Sequence, residues 1–105
     1  MSVQPYSLFS DFDIYLFRSG KHTRLYEKFG SHKVEVDGVS GVYFAVWAPT
    51  ATDVAVMGNF NNWDSFSHKL AGRWDQSGIW EGFIPDLDFG EVYKYGIRTK
   101  EGILL

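Results

Sequence analysis

Residues 41 to 49 read Gly41-Val42-Tyr43-Phe44-Ala45-Val46-Trp47-Ala48-Pro49. Val42, Phe44 and Val46 recur every second residue and so point to one side of an extended chain, the period of a β-strand. Pro49 has no amide to give to a ladder and ends the run. Immediately upstream, Lys33-Val34-Glu35-Val36 followed by Asp37-Gly38 supplies a second strand and a tight turn. The stretch therefore predicts a β-hairpin with one buried face.

The same period continues downstream. Asp53-Val54-Ala55-Val56-Met57-Gly58, Gly78-Ile79-Trp80-Glu81-Gly82-Phe83-Ile84-Pro85 and Val92-Tyr93-Lys94-Tyr95-Gly96-Ile97-Arg98 each read as a strand. In the last of these Tyr93, Tyr95 and Ile97 share one face, which leaves Lys94 and Arg98 on the solvent face. Trp47 and Trp80 fall within strands and read as packing residues. Short strands separated by turn residues predict an all-β, immunoglobulin-like β-sandwich of the early-set type over residues 31–105.

Residues 1–30 read differently, as a short helical leader. Ser10 and Asp13 have the spacing of a reciprocal N-terminal cap, Phe12, Tyr15 and Leu16 fall on one helical face, and Gly20 is a stop. A second short helix fits His22 to Phe29, with Leu25 and Phe29 four apart and Gly30 as its C-terminal stop. This leader is expected to pack as a satellite on the sandwich. The first residues carry neither a basic cluster nor a long apolar run, so no secretory signal or membrane anchor is expected. At the other end, Ile103-Leu104-Leu105 stops in mid-run, as in a chain cut within its last strand.

Composition narrows the function. A chain of 105 residues makes one domain; 45% hydrophobic and 18% aromatic content with a net charge of −3 excludes a disordered chain and an electrostatic binder of nucleic acid. The absence of cysteine suits a cytoplasmic location and removes thiolate chemistry. His22, His32 and His68 are too scattered for a metal-ligand pattern, and the aspartates fall at caps and turns, where that residue belongs for structural reasons. No catalytic residue, metal or other cofactor is expected, and no membrane partner.

One stretch remains unexplained by packing: Gly58-Asn59-Phe60-Asn61-Asn62-Trp63-Asp64. Asn61 and Asn62 favour a tight corner because their side chains bond nearby backbone and tolerate left-handed φ. Phe60 can anchor that corner. Trp63 then either folds back over the core or stands outward as a flat apolar plate. A ligand suited to a plate has C–H faces and a rim of hydroxyls, as a glucose ring does, with Asn61, Asn62 and Lys94 as rim partners. Trp74, in the polar loop Gly72-Arg73-Trp74-Asp75-Gln76, is a candidate second plate.

The segments Gly41 to Ala51, Val54 to Gly58, Phe60-Asn61-Asn62-Trp63-Asp64, Gly78-Ile79-Trp80 and Tyr93-Lys94-Tyr95 together resemble carbohydrate-binding module family 48. The leader, with Asp13 to Phe17, Gly20, His22, Leu25 to Gly30 and His32, looks like the approach to that module in bacterial 1,4-α-glucan branching enzymes. The resemblance implies α-1,4-glucan or glycogen as ligand, and a catalytic barrel following in the same polypeptide. It also implies Trp63 as the stacking ring and Lys94 as a sugar-contacting lysine. The module of the kinase β-subunit carries a second tryptophan where this chain has Ile103-Leu104, which makes Leu104 a possible secondary contact. Two other roles stay open: a docking spacer whose Trp63 is buried against the barrel, and a kinase-type regulatory module.

Overall fold

The computed structural model describes residues 3–20, 29–64, 67–75, 77–88, 90 and 92–100. The expected second leader helix and Leu104 lie outside them. Six strands are present among the described residues, in two sheets. β1 (Gly30–Val36) and β2 (Val39–Trp47) form the hairpin, turning through Asp37 and Gly38 at φ 51° and 83°, the left-handed pair that a two-residue turn needs. β2 pairs in turn with β5 (Ile79–Pro85), and β5 with the two-residue β4 (Ala71–Gly72), giving the order β1-β2-β5-β4. β3 (Ala51–Gly58) and β6 (Tyr93–Thr99) make the second sheet, antiparallel.

The sheets close on an apolar core. Val42, Phe44 and Ile84 from the first meet Val54 and Val56 from the second, with Tyr93, Tyr95 and Ile97 packed against them. The Phe44 and Tyr93 rings meet edge to face, 4.9 Å between centroids. Between β3 and β4 the chain changes sheet. Residues 68–70 first run along β3, with Val56 N donating to His68 O and Leu70 N to Val54 O, before Ala71 and Gly72 join β5.

The all-β sandwich and the capped helix ahead of it agree with the sequence reading. Helix α1 (Asp11–Arg18) is capped reciprocally, Ser10 N to Asp13 Oδ2 at 2.9 Å and Asp13 N to Ser10 Oγ at 3.1 Å. The leader covers the outer face of β2, where Phe9 and Ile14 bury against Tyr43, Ala45 and Ile79. β2 is therefore buried on both faces, which is why its apolar run is unbroken instead of alternating. Gly41 in this strand has no room for a side chain: a Cβ there would sit 2.3 Å from the Ile84 carbonyl oxygen.

Two expectations need correcting. The face of α1 that packs is the one carrying Ile14, not the one carrying Phe12 and Tyr15, which are 67% and 64% exposed and stack on each other at 6.5 Å. Among the described side chains of this two-turn helix only Ile14 is deeply buried, so periodicity could not choose among its apolar positions. Trp47, expected as a packing residue, stands 55% exposed because it is the last residue of β2, where the sheet no longer covers it. Trp80 does pack, and its indole Nε1 donates to Ala48 O at 3.1 Å.

Candidate carbohydrate-binding corner

β3 ends at Gly58, and the chain turns through a single 3-10 turn at Asn59–Asn61. The corner is tight enough to require glycine at its entrance: a Cβ on Gly58 would meet Val92 O at 2.8 Å and the Phe60 ring at 2.9 Å. Phe60 leans inward onto the core and meets the His68 ring edge-on at 5.1 Å.

Asn61 wires the turn. Its Oδ1 accepts from Gly58 N at 3.0 Å, and its Nδ2 donates to Val56 O at 2.9 Å and to His68 Nδ1 at 3.0 Å. Because the amide's orientation is set by those two backbone partners, His68 Nδ1 must be the acceptor and the ring proton lies on Nε2. Both amide hydrogens of Asn61 are thus spent within the protein. The residue builds the corner.

Asn62 and Trp63 follow with φ of 54° and 58°. Asparagine tolerates the left-handed region; a tryptophan there is strained by roughly 1–2 kcal/mol and persists only because its surroundings dictate it. They do so through three bonds: Trp63 N to Gly58 O at 2.8 Å, Asp64 N to Asn61 O at 3.1 Å, and the indole Nε1 to Asn59 Oδ1 at 2.9 Å. The outcome is a ring 40% exposed, tied at its one polar edge and open on its surface. Sequence reasoning missed Asn59 and His68 as parts of the site. The spacing of Asn59, four residues before Trp63, was the available signal.

Lys94 is exposed on β6, opposite Met57 in register, one pair along from the Gly58–Tyr93 pair that opens the corner. Its backbone therefore lies at the same end of the second sheet as Trp63. Trp74 is remote in the fold, in the loop between β4 and β5, and is 79% exposed.

The charged chemistry lies elsewhere, under the leader. Arg73, 5% exposed at its side chain, bonds Asp75 Oδ2 at 2.9 Å and approaches Glu81 Oε2 at 3.3 Å. It also donates to Ser7 Oγ at 2.6 Å, and Glu81 Oε1 accepts from both Ser7 and Tyr43 at 2.7 Å. Burial opposes the Arg73 charge, but Asp75 and Glu81 hold the guanidinium above its ordinary value. Burial pushes Asp75 up, yet the bonds from Ser77 and Arg73 outweigh it and keep the carboxyl below its ordinary value. Burial and the Glu81 carboxylate push the Tyr43 hydroxyl up, so it stays protonated and donates. These groups form a closed structural network. No group of three or more metal-ligating side chains exists among the described residues, and no described helix is long and apolar enough to cross a membrane.

Two antiparallel sheets closed on one core, with a helix docked outside, define the class of small β-sandwich modules. The chain belongs to the family of carbohydrate-binding module 48 (isoamylase N-terminal domain), whose profile matches residues 28–104. The 1,4-alpha-glucan branching enzyme GlgB of Thermosynechococcus vestitus is 58% identical over 93 residues, covering 89% of this chain and 12% of that protein. Its namesake in Trichormus variabilis is 51% identical over 106 residues, covering 97% and 14%. The chain thus spans about an eighth of the length of these relatives. Among solved structures, apo pullulanase from Paenibacillus barengoltzii matches 94% of this chain with 16% of its own, at a TM-score of 0.48 and 17% identity.

Proposed function

We propose that this chain is the α-glucan-contacting module of a 1,4-α-glucan branching enzyme, with Trp63 stacking on a glucose ring and Asn62 and Lys94 bonding hydroxyls. The observation that carries the reading is the backbone of Trp63, held in the left-handed region by Asn59, Gly58 and Asn61 with its ring exposed. Strain retained at an exposed aromatic has no use in packing; it has one in presenting a plate. The family and the branching enzymes that the chain resembles make α-1,4-glucan the matching ligand.

In this reading the chain contributes binding and placement, and the bond-making chemistry belongs to a catalytic domain of the same polypeptide. One plate with two polar partners supports weak affinity, about −4 kcal/mol or roughly millimolar. Such affinity suffices where the ligand is a polymer with many equivalent ends and internal rings.

Electrophoresis of the chain through a gel containing glycogen tests the proposal. Retardation by glycogen that is markedly weaker in Trp63→Ala is the expected result. Equal mobility of wild type and variant at every glycogen concentration would leave the docking spacer as the better account.

A further inference from the structure

The groove between α1 and the loop after β4 is built like a second sugar site and plays no part in the corner. It encloses about 510 Å³, within the range of small-molecule sites, over a floor of Ile14. Tyr15 and Trp74 supply its aromatic walls, and Asp11, Arg18, Ser19 and Asp75 its polar rim. Tyr15 is backed by the nearly parallel ring of Phe12, and Trp74 is the most exposed large apolar residue among the described residues, at 79%.

The backbone beneath Trp74 is fixed although its ring is not packed. On one side Arg73 is clamped by Asp75 and Glu81; on the other, Asp75 Oδ1 accepts from Ser77 N at 3.2 Å. Arg18 Nη1 reaches across from the helix to Asp75 O at 3.2 Å, tying the two walls of the groove together. Exposed rings that line one groove, one of them on a doubly anchored loop, form the kind of apolar patch with a polar rim that marks a binding site.

The rim selects the occupant. The Asp75 carboxylate is spent on Arg73 and Ser77, so Asp11 and Arg18 leave the rim without an excess of positive charge, and with a net charge of −3 this disfavours phosphate-bearing polymers. An acyl chain would strip water from Asp11 and Arg18 without replacing their hydrogen bonds. A neutral polyol with apolar C–H faces satisfies both kinds of wall, because its hydroxyls donate to carboxylates and accept from the guanidinium while its ring covers the indole.

We infer that this groove is a second α-glucan subsite, with Trp74 and Tyr15 stacking and Arg18 and Asp11 bonding hydroxyls. The inference rests on the reading of the chain as an α-glucan binder but on none of the residues of the Trp63 corner. The corner lies at the Gly58 end of the β3–β6 sheet, whereas the groove lies on the leader side of the other sheet, in a body of 39 × 38 × 20 Å. Two sites on separate surfaces allow one module to hold two strands of a branched polymer, and glycogen retention then exceeds what either site gives alone.

The experiment is an NMR titration of the ¹⁵N-labelled chain with maltoheptaose in wild type, Trp63→Ala and Trp74→Ala, following indole and amide shifts. Saturable movement of Trp74, Tyr15 and Arg18 that survives Trp63→Ala and is lost in Trp74→Ala, with the Trp63 shifts intact there, is expected. Because Trp74 is exposed, its replacement should leave the remaining amide spectrum unchanged and the comparison valid. A silent groove beside a responding Trp63 would overturn the second subsite and leave the first reading standing; silence at both would overturn both. Movement of Trp74 with protein concentration alone, without sugar response, would make the groove a self-association surface and overturn the subsite.

Discussion

The Trp63 corner and the Trp74 loop each hold an exposed tryptophan on a fixed backbone, with opposite chemistry. The corner is wired by the neutral amides of Asn59 and Asn61, whose bonds join residues between Val56 and His68. The loop uses charges, and its partners come from Ser7, Arg18, Tyr43 and Glu81, far apart along the chain. A local device of this kind folds with its own hairpin, and its amide bonds use no residue of the leader. A long-range, charged one draws Ser7 and Arg18 of the leader into its bonds, and it inherits the titration of Asp75.

The largest effect should come from breaking the charged device. Arg73→Ala leaves Asp75 and Glu81 buried without their cation and should cost about 3–5 kcal/mol in denaturant unfolding. The glucan response at Trp63 should persist at temperatures where the variant is folded; loss of both together would mean that the two regions are one unit.

Breaking the neutral device should cost less but act on the site. Asn61→Ala removes three hydrogen bonds and strands the Gly58 amide, for roughly 2–3 kcal/mol in a melting experiment. Glycogen retention should fall with it, because Trp63 loses its support.

Trp63→Ala should change stability by no more than about 1 kcal/mol while markedly weakening retention. Trp63→Gly should be more stable than Trp63→Ala by roughly 1 kcal/mol, since only glycine is at ease at a φ of 58°. Equal stability of the two would show that the left-handed backbone is not kept.

The smallest effect is the pH dependence of the clamp. Asp75 is held below its ordinary value of 3.8 in the folded chain, so its contribution is complete above about pH 4 and is lost as the pH falls through the depressed value. The unfolding midpoint of the wild type should therefore drop on acidification below pH 4 more steeply than that of Asp75→Asn. Parallel profiles would remove Asp75 from the account.

What the sequence disclosed follows the same division. The β-hairpin at Asp37-Gly38, the Ser10–Asp13 cap and the turn at Asn61-Asn62 depend on residues within a few positions of each other, and local pattern found all three. The role of Asn61 was half legible: its preference for a corner was plain, but its use of His68, seven residues on, was not. The Arg73 network was invisible because nothing in one chain pairs Arg73 with Ser7 or Tyr43 with Glu81 before the sheets are built. For the same reason the buried face of α1 was misassigned, since only the docked leader distinguishes Ile14 from Tyr15.

The central claim is that the amide-wired corner presents the Trp63 ring to an α-glucan. Intermolecular NOEs between maltoheptaose and the chain, recorded with the Trp63 ring protons assigned, test it at the atoms concerned. The account predicts cross-peaks from the Trp63 ring to the C–H protons of one sugar face, with none from the indole N–H that Asn59 occupies. Sugar cross-peaks confined to other residues, with the Trp63 ring silent, would contradict it.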